Sequence, residues 1–277
     1  MRKVKSLSAT LVAVVAKEMK ITFRYIGSLI MIASIPFMFS GMLMGIGYAV
    51  AGPSAFRNFA ENTGVGNPLL YTTLGGVLMI GSMILVENTA GIIREEQMMG
   101  TFELHYLTPN STMILWLFHS ISTSLLTLAI MALDVSAVLA LQGSLLTPLE
   151  LAIAAFVTLL GLLPLAGLGL VVAALTVRFK EVWAVANVVN SFVAMLSGFY
   201  YPLEVFPAIV RLIAQALPTS HAAQILRSVF AGGVSTLHLW ERVALMAALG
   251  AAYLMLGRVF YLRWEDEARR KGELSKY

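Results

Sequence analysis

Six apolar stretches, each long enough to cross a bilayer or nearly so, constrain this chain more than anything else in its sequence. A spanning helix needs about 20 mostly apolar residues, because the hydrocarbon layer is about 30 Å thick and a helix rises about 1.5 Å per residue. The stretches run roughly Tyr25–Val50, Leu69–Ile93, Met113–Leu141, Leu151–Val177, Val182–Tyr201 and Val243–Leu262. Composition agrees. Of 277 residues, 58% are hydrophobic and 12% charged, and the mean hydropathy is +0.82. So few charges cannot clothe a soluble surface of this size, which excludes a soluble enzyme, a disordered chain and a nucleic-acid-binding module. The expected class is an all-α polytopic membrane protein with six transmembrane helices.

The net charge of +4 therefore reads as a topology signal. With the N-terminus inside, 15 Lys and Arg fall on the cytoplasmic side, among them Lys17, Lys20, Arg24, Arg94, Arg178 and Lys180. The outside receives four, Arg57, Arg211, Arg227 and Arg242. The positive-inside bias places both termini in the cytoplasm. Cysteine is absent, so a disulfide framework or a thiolate site is excluded.

Ahead of the first span, Leu7, Leu11, Val15, Met19 and Phe23 recur at i+4, with Lys17, Lys20 and Arg24 on another face. Residues 7–24 read as an amphipathic helix lying in the inner membrane surface. The competing reading is a signal peptide ending near Ala16. Cleavage there would leave Lys17, Lys20 and Arg24 outside, against the charge bias.

Two links are more than loops. Residues 94–111 carry more charge than any other connection. Gly100 can end the preceding helix, Thr101 can cap a short new one, and Pro109 stops it. That short piece offers Phe102, Leu104, Tyr106 and Leu107 beside Glu103 and His105, a composition suited to a partner's groove. An ordinary turn folded on the membrane competes with this reading. On the other side, residues 202–233 hold Pro202 and Pro207, then the apolar run Ala208–Leu217, too short to span. It fits a helix that dips into the outer leaflet and returns, and Thr219 or Ser220 would cap a further short helix ending at Gly232-Gly233.

These links carry a resemblance. Arg94-Glu95-Glu96, then Gly100-Thr101-Phe102-Glu103-Leu104 and Thr108-Pro109, with Ser197-Gly198, Tyr201-Pro202-Leu203-Glu204, Phe206-Pro207, Leu217-Pro218 and His221-Ala222 through Arg227, resemble the permease subunits of ABC-2 type ATP-binding-cassette exporters. The resemblance covers nearly all of residues 1–277 as one transmembrane domain. It implies a coupling helix that contacts a separate ATPase subunit through Glu95, Glu96, Gly100, Thr101, Phe102, Glu103, Leu104, His105 and Tyr106. It also implies an outer re-entrant segment containing Gly198, Tyr201, Pro202, Glu204 and Pro207, a second permease subunit, and the inner membrane of a prokaryote. ATP and Mg would sit in the partner. This chain has no Gly-x-x-x-x-Gly-Lys-Ser/Thr loop to hold them, and no cofactor of its own is expected.

Ionisable and amide groups inside spans are candidates for a pathway or coupling role. These are Glu87 near the inner boundary, His119 in the inner third of the third span, and Asn187 and Asn190 in the fifth. Asp134 falls about 31 Å along its helix and reads as an interface residue. None of the three ionisable groups, Glu87, His119 and Asp134, lies clearly at the midplane, which weakens an ion-coupled carrier. A membrane-embedded lipid-modifying enzyme would need clustered acid, base or metal ligands at one depth, and the sequence shows no such cluster. Pro164, Gly167 and Gly169 predict a kink or a tight contact in the fourth span.

Overall fold

The computed structural model describes residues 2–100, 104, 111–141, 143, 147–176, 181–230 and 236–271. Among these the regular elements are all helices. In chain order they are α1 (Arg2–Arg24), α2 (Ile26–Ala51), α3 (Ser54–Thr63), α4 (Pro68–Met98), α5 (Thr112–Leu141), α6 (Pro148–Leu162), α7 (Leu165–Thr176), α8 (Val182–Leu196), a 3-10 turn (Leu203–Val205), α9 (Ala208–Gln215), α10 (Pro218–Phe230) and α11 (Thr236–Lys271).

Among the described residues, five segments are long and apolar enough to cross a membrane: α2, α4, α5, α6 with α7, and α11 from Leu239. The fifth stretch of the sequence differs. Helix α8 stops at Leu196, because Ser197 is followed by Gly198 at φ 66°, and the aromatic residues beyond it enter a separate cap. At 15 residues α8 is about 22 Å long.

Helix α4 is the hub, packing against α2, α5, α7, α8 and α10. It buries Leu70, Leu74, Val77, Leu78, Leu85 and Val86 in the main core. Helix α2 is its opposite, with Pro36 and Ser40 the buried positions among 26 residues. Apolar side chains gain nothing from leaving lipid, so close packing and hydrogen bonding must hold such a bundle together. Thr89 on α4 meets Ser120 on α5 at 3.1 Å. Ser124 and Thr127 return their hydroxyls to carbonyls one turn back, which satisfies them without water.

The fourth stretch breaks as predicted. Leu163 and Pro164 separate α6 from α7. Past the break, Gly167 lies so close to α11 that a Cβ there would overlap the main chain of Tyr253, and one on Gly257 would lie 2.6 Å from the Cα of Gly167. The start of this stretch is fixed by a capping box between Thr147 and Glu150, with Pro148 at the first helical position.

The predicted loop at Ala51–Pro68 contains α3, closed by Gly64 at φ 69°. Asn67 caps α4 by accepting from the Leu70 amide at 3.2 Å. Helix α10 starts at Pro218, so Thr219 and Ser220 lie inside it and do not cap it. Their hydroxyls bind Ser197 (2.6 Å) and the Ala214 and Leu217 carbonyls (both 2.7 Å). Gly232 and Gly233 lie outside the described residues.

Candidate functional site

Of the predicted functional residues, Glu95, Glu96, Gly100 and Leu104 lie at one end of the bundle, the outer segment lies at the other, and Glu87 and Asn190 lie between them. At the α1 end, α4 runs on to Met98 and Gly100 follows it at φ 69°, as the sequence predicts. Glu95 is exposed and Glu96 half-buried. Met98, Met99 and Leu104 are 75%, 72% and 57% exposed, and Leu104 is helical. Thr101, Phe102, Glu103, His105 and Tyr106 lie outside the described residues. The described part of this link thus presents apolar side chains to the surroundings just past a charged helix end.

Helix α1 is continuous through Arg24 and breaks at Tyr25 (φ −110°, ψ 55°) before α2. It packs along α5, where His119 Nδ1 lies 3.3 Å from Glu18 Oε1. His119 is therefore anchored to the amphipathic helix. The hydrogen bond with His119 holds the Glu18 carboxyl below the ordinary glutamate value of 4.5, against the opposing effect of burial, and attraction to His119 and Lys17 adds to it. A carboxyl depressed in the folded state stabilises it above its unfolded pKa and loses that contribution as pH falls through the folded value. The α1–α5 contact should therefore loosen below about pH 4.5, by roughly 1 kcal/mol at most for a pair this accessible. Hydrogen exchange along α1 measures this, and Glu18→Gln should remove the acid dependence. Identical acid profiles for the two proteins would refute it.

In the middle of the bundle, Asn190 Nδ2 donates to Glu87 Oε1 at 2.8 Å, joining α8 to α4. These two of the four predicted pathway residues form one unit. Asn187, one turn away on α8, is exposed, and its carbonyl accepts from Ser191. Asp134 departs from its sequence reading. It is fully buried on α5, and neither carboxyl oxygen has a hydrogen-bond partner.

The opposite end carries the cap. Tyr201 donates to the Met195 carbonyl, and Arg211 donates to the Glu204 and Phe206 carbonyls at 3.1 and 3.2 Å. Pro202 and Pro207 bracket the 3-10 turn. Gly198 adopts its left-handed conformation beside Leu203, whose Cδ2 would lie 2.7 Å from an added Cβ. Behind this turn sits Arg227 of α10, only 7% exposed. It donates to the Gly198 carbonyl at 2.9 Å and to the Phe199 carbonyl, and its guanidinium carbon stacks 3.5 Å from the centre of the Tyr71 ring. Gly75 lets this happen, because a Cβ there would collide with the Phe199 carbonyl.

A cavity of about 350 Å³ opens over this assembly, between the α3–α4 connection, the 197–204 turn and the facing ends of α10 and α11. Tyr71, Tyr201, Glu204, Gln224, Arg227 and Arg242 line it. Sequence reasoning used Arg227 and Arg242 as topology charges, with Arg227 also a motif position, and missed Tyr71, Gly75 and Gln224. A lone Arg following the apolar pair Ile225-Leu226 in a short helix was the available signal.

Residues 7–231 match the model of the ABC-2 type transporter family. The chain belongs to this family. The ABC-2 match begins in α1 and reaches past the end of α10, so it includes both unusual links and the cap, and α11 follows it. No curated protein matches the chain. Membership makes this a multi-pass membrane chain of a transporter, in agreement with the five helices long enough to span.

Proposed function

We propose that this ABC-2 chain is the permease subunit of an ATP-driven exporter in the inner membrane of a prokaryote. It works with a second permease subunit and two copies of a separate ATPase. Both termini and residues 94–111 face the cytoplasm, in keeping with the distribution of Lys and Arg. Helix α8 with the turn after it completes six crossings, and α9 and α10 form the outer re-entrant segment. Ile209 and Leu212, 76% and 70% exposed on α9, give that helix a lipid-facing side.

The observation that supports this reading most is the exit of α4. Exposed Met98, Met99 and Leu104 beside exposed Glu95 form a surface for a protein groove at the end where a soluble ATPase would dock. ATP closes the ATPase pair, the coupling segment moves with it, and the helices shift as rigid bodies between two arrangements. The small-residue contact of α7 on α11 and the hub position of α4 make such blocks mechanically stiff. A hydrophobic or amphiphilic substrate suits spans this poor in charge.

Affinity capture of the chain in mild detergent tests the proposal. A soluble ATPase should co-purify, and Glu103→Arg or Phe102→Ala should reduce its recovery at least about tenfold, as loss of a central contact does. Capture of the chain without any ATPase would contradict it.

A further inference from the structure

The cavity over Tyr71 has a charge pattern that the ATPase coupling does not use. Its inner wall holds Arg227, whose guanidinium is buried with two nitrogens spent on carbonyl oxygens and Nε without a partner. Its rim holds Arg242, exposed and bonded to Gln224. Among the described residues, no carboxylate lies within 4 Å of either guanidinium. Among the described residues, Glu204 is the one acid lining the cavity, and it is exposed to solvent. Among the described residues, the groups touching the buried cation are carbonyl dipoles and the face of Tyr71. Burying a cation without a counter-ion is costly, and an anion in the cavity would offset that cost.

We propose that this cavity binds an organic oxyanion, specifically a phosphate ester, between Arg227 and Arg242. Guanidinium is suited to phosphate oxygens by its fork of donors. Two guanidiniums from separate helices offer more charge than a carboxylate would neutralise, and a phosphate ester presents oxygens to more than one wall at once. Ser197, Gln224 and Ser228 also line the cavity and add neutral hydrogen-bonding groups. A volume of about 350 Å³ lies at the small end of ligand sites, enough for a headgroup and too little for a whole lipid. The acyl part of an amphiphile would have to remain outside. The site is independent of the ATPase proposed above, since every residue it uses lies at the other end of the bundle.

The test uses the full chain in a neutral detergent and follows its thermal midpoint with added ligand. The probes are inorganic phosphate, glycerol phosphate, dihexanoyl phosphatidic acid and, as an uncharged control, dihexanoylglycerol. The phosphatidic acid should raise the midpoint saturably and the control should not. Stabilisation by the phosphatidic acid alone identifies a lipid headgroup. Equal stabilisation by inorganic phosphate identifies a free oxyanion, and either result supports the site. Arg227→Gln should abolish the effect, although it also removes the bonds that hold the 197–204 turn. The decisive variants are therefore at exposed positions. Arg242→Gln should weaken apparent affinity about tenfold, and Glu204→Gln should strengthen it about threefold, both effects shrinking at high salt. Equal stabilisation by dihexanoylglycerol, no stabilisation by any phosphate probe, or unchanged affinity in both exposed variants would overturn the proposal. None of these outcomes bears on whether an ATPase docks at residues 94–111.

Discussion

Gly167→Leu should destabilise the bundle by about 2–3 kcal/mol or more, the upper range for an overpacked core. The atoms in the way are the main chain of Tyr253 and, across the contact, Gly257. Main chain within a helix cannot turn aside as a flexible side chain can, so α7 and α11 would have to separate. That contact joins the second half of the broken span to the last helix, and among the described residues it is the most extensive helix–helix contact. Van der Waals packing is the main attraction available between helices in lipid, so separation is expensive. Gly41 supplies the control. It lies on α2 with nothing within 4 Å of an added Cβ, and Gly41→Leu should leave the midpoint unchanged or raise it slightly through helix propensity. Thermal loss of monodisperse protein in detergent measures both. Equal midpoints for the two variants would mean the helices do not touch as described.

Asp134→Val should have the opposite sign, stabilising the fold by about 1–3 kcal/mol. A buried polar group without a partner costs about that much. Asp134 is fully buried with neither oxygen bonded, and valine adds little volume. Asp134→Asn keeps an unpartnered polar group at the same place and should show no comparable gain. A destabilised valine variant would reveal a partner that Asp134 acquires in the assembled transporter. Transport by the valine variant separates two reasons for keeping the acid: unchanged transport marks it as dispensable, and lost transport marks it as part of the working cycle.

The features legible in the sequence were those written in local pattern. The i+4 series from Leu7 to Phe23 announced α1, Pro164 announced the break between α6 and α7, and Gly100 announced the end of α4. Each depends on residues within one or two turns. The misreadings depended on distant neighbours. Hydropathy runs unbroken through Phe199 to Tyr201, so the end of α8 at Leu196 was hidden; Phe199 is buried in the cap, beneath Gly75 of another helix. Counting along α5 put Asp134 at an interface, but depth along one helix says nothing about enclosure by its neighbours. His119 gained its partner from Glu18, a hundred residues earlier on the helix read as lying in the inner membrane surface. Arg227 looked like one more outside charge, yet its carbonyl partners on Gly198 and Phe199 and its seat on Tyr71 come from elements far away in the chain.

An ATPase that drives this permease through residues 94–111 can be caught in place, because the sequence holds no cysteine of its own. Leu104→Cys introduces a single thiol at a helical, exposed position. A short thiol-to-amine cross-linker is then applied to native membranes, with Ile209→Cys on the exposed face of α9 as the control. Leu104→Cys should give a cross-linked product that contains a nucleotide-binding ATPase chain, with a yield that changes when ATP is added, and Ile209→Cys should give none. A Leu104→Cys protein that is exposed and reactive yet captures no ATPase, with or without ATP, would contradict coupling through residues 94–111.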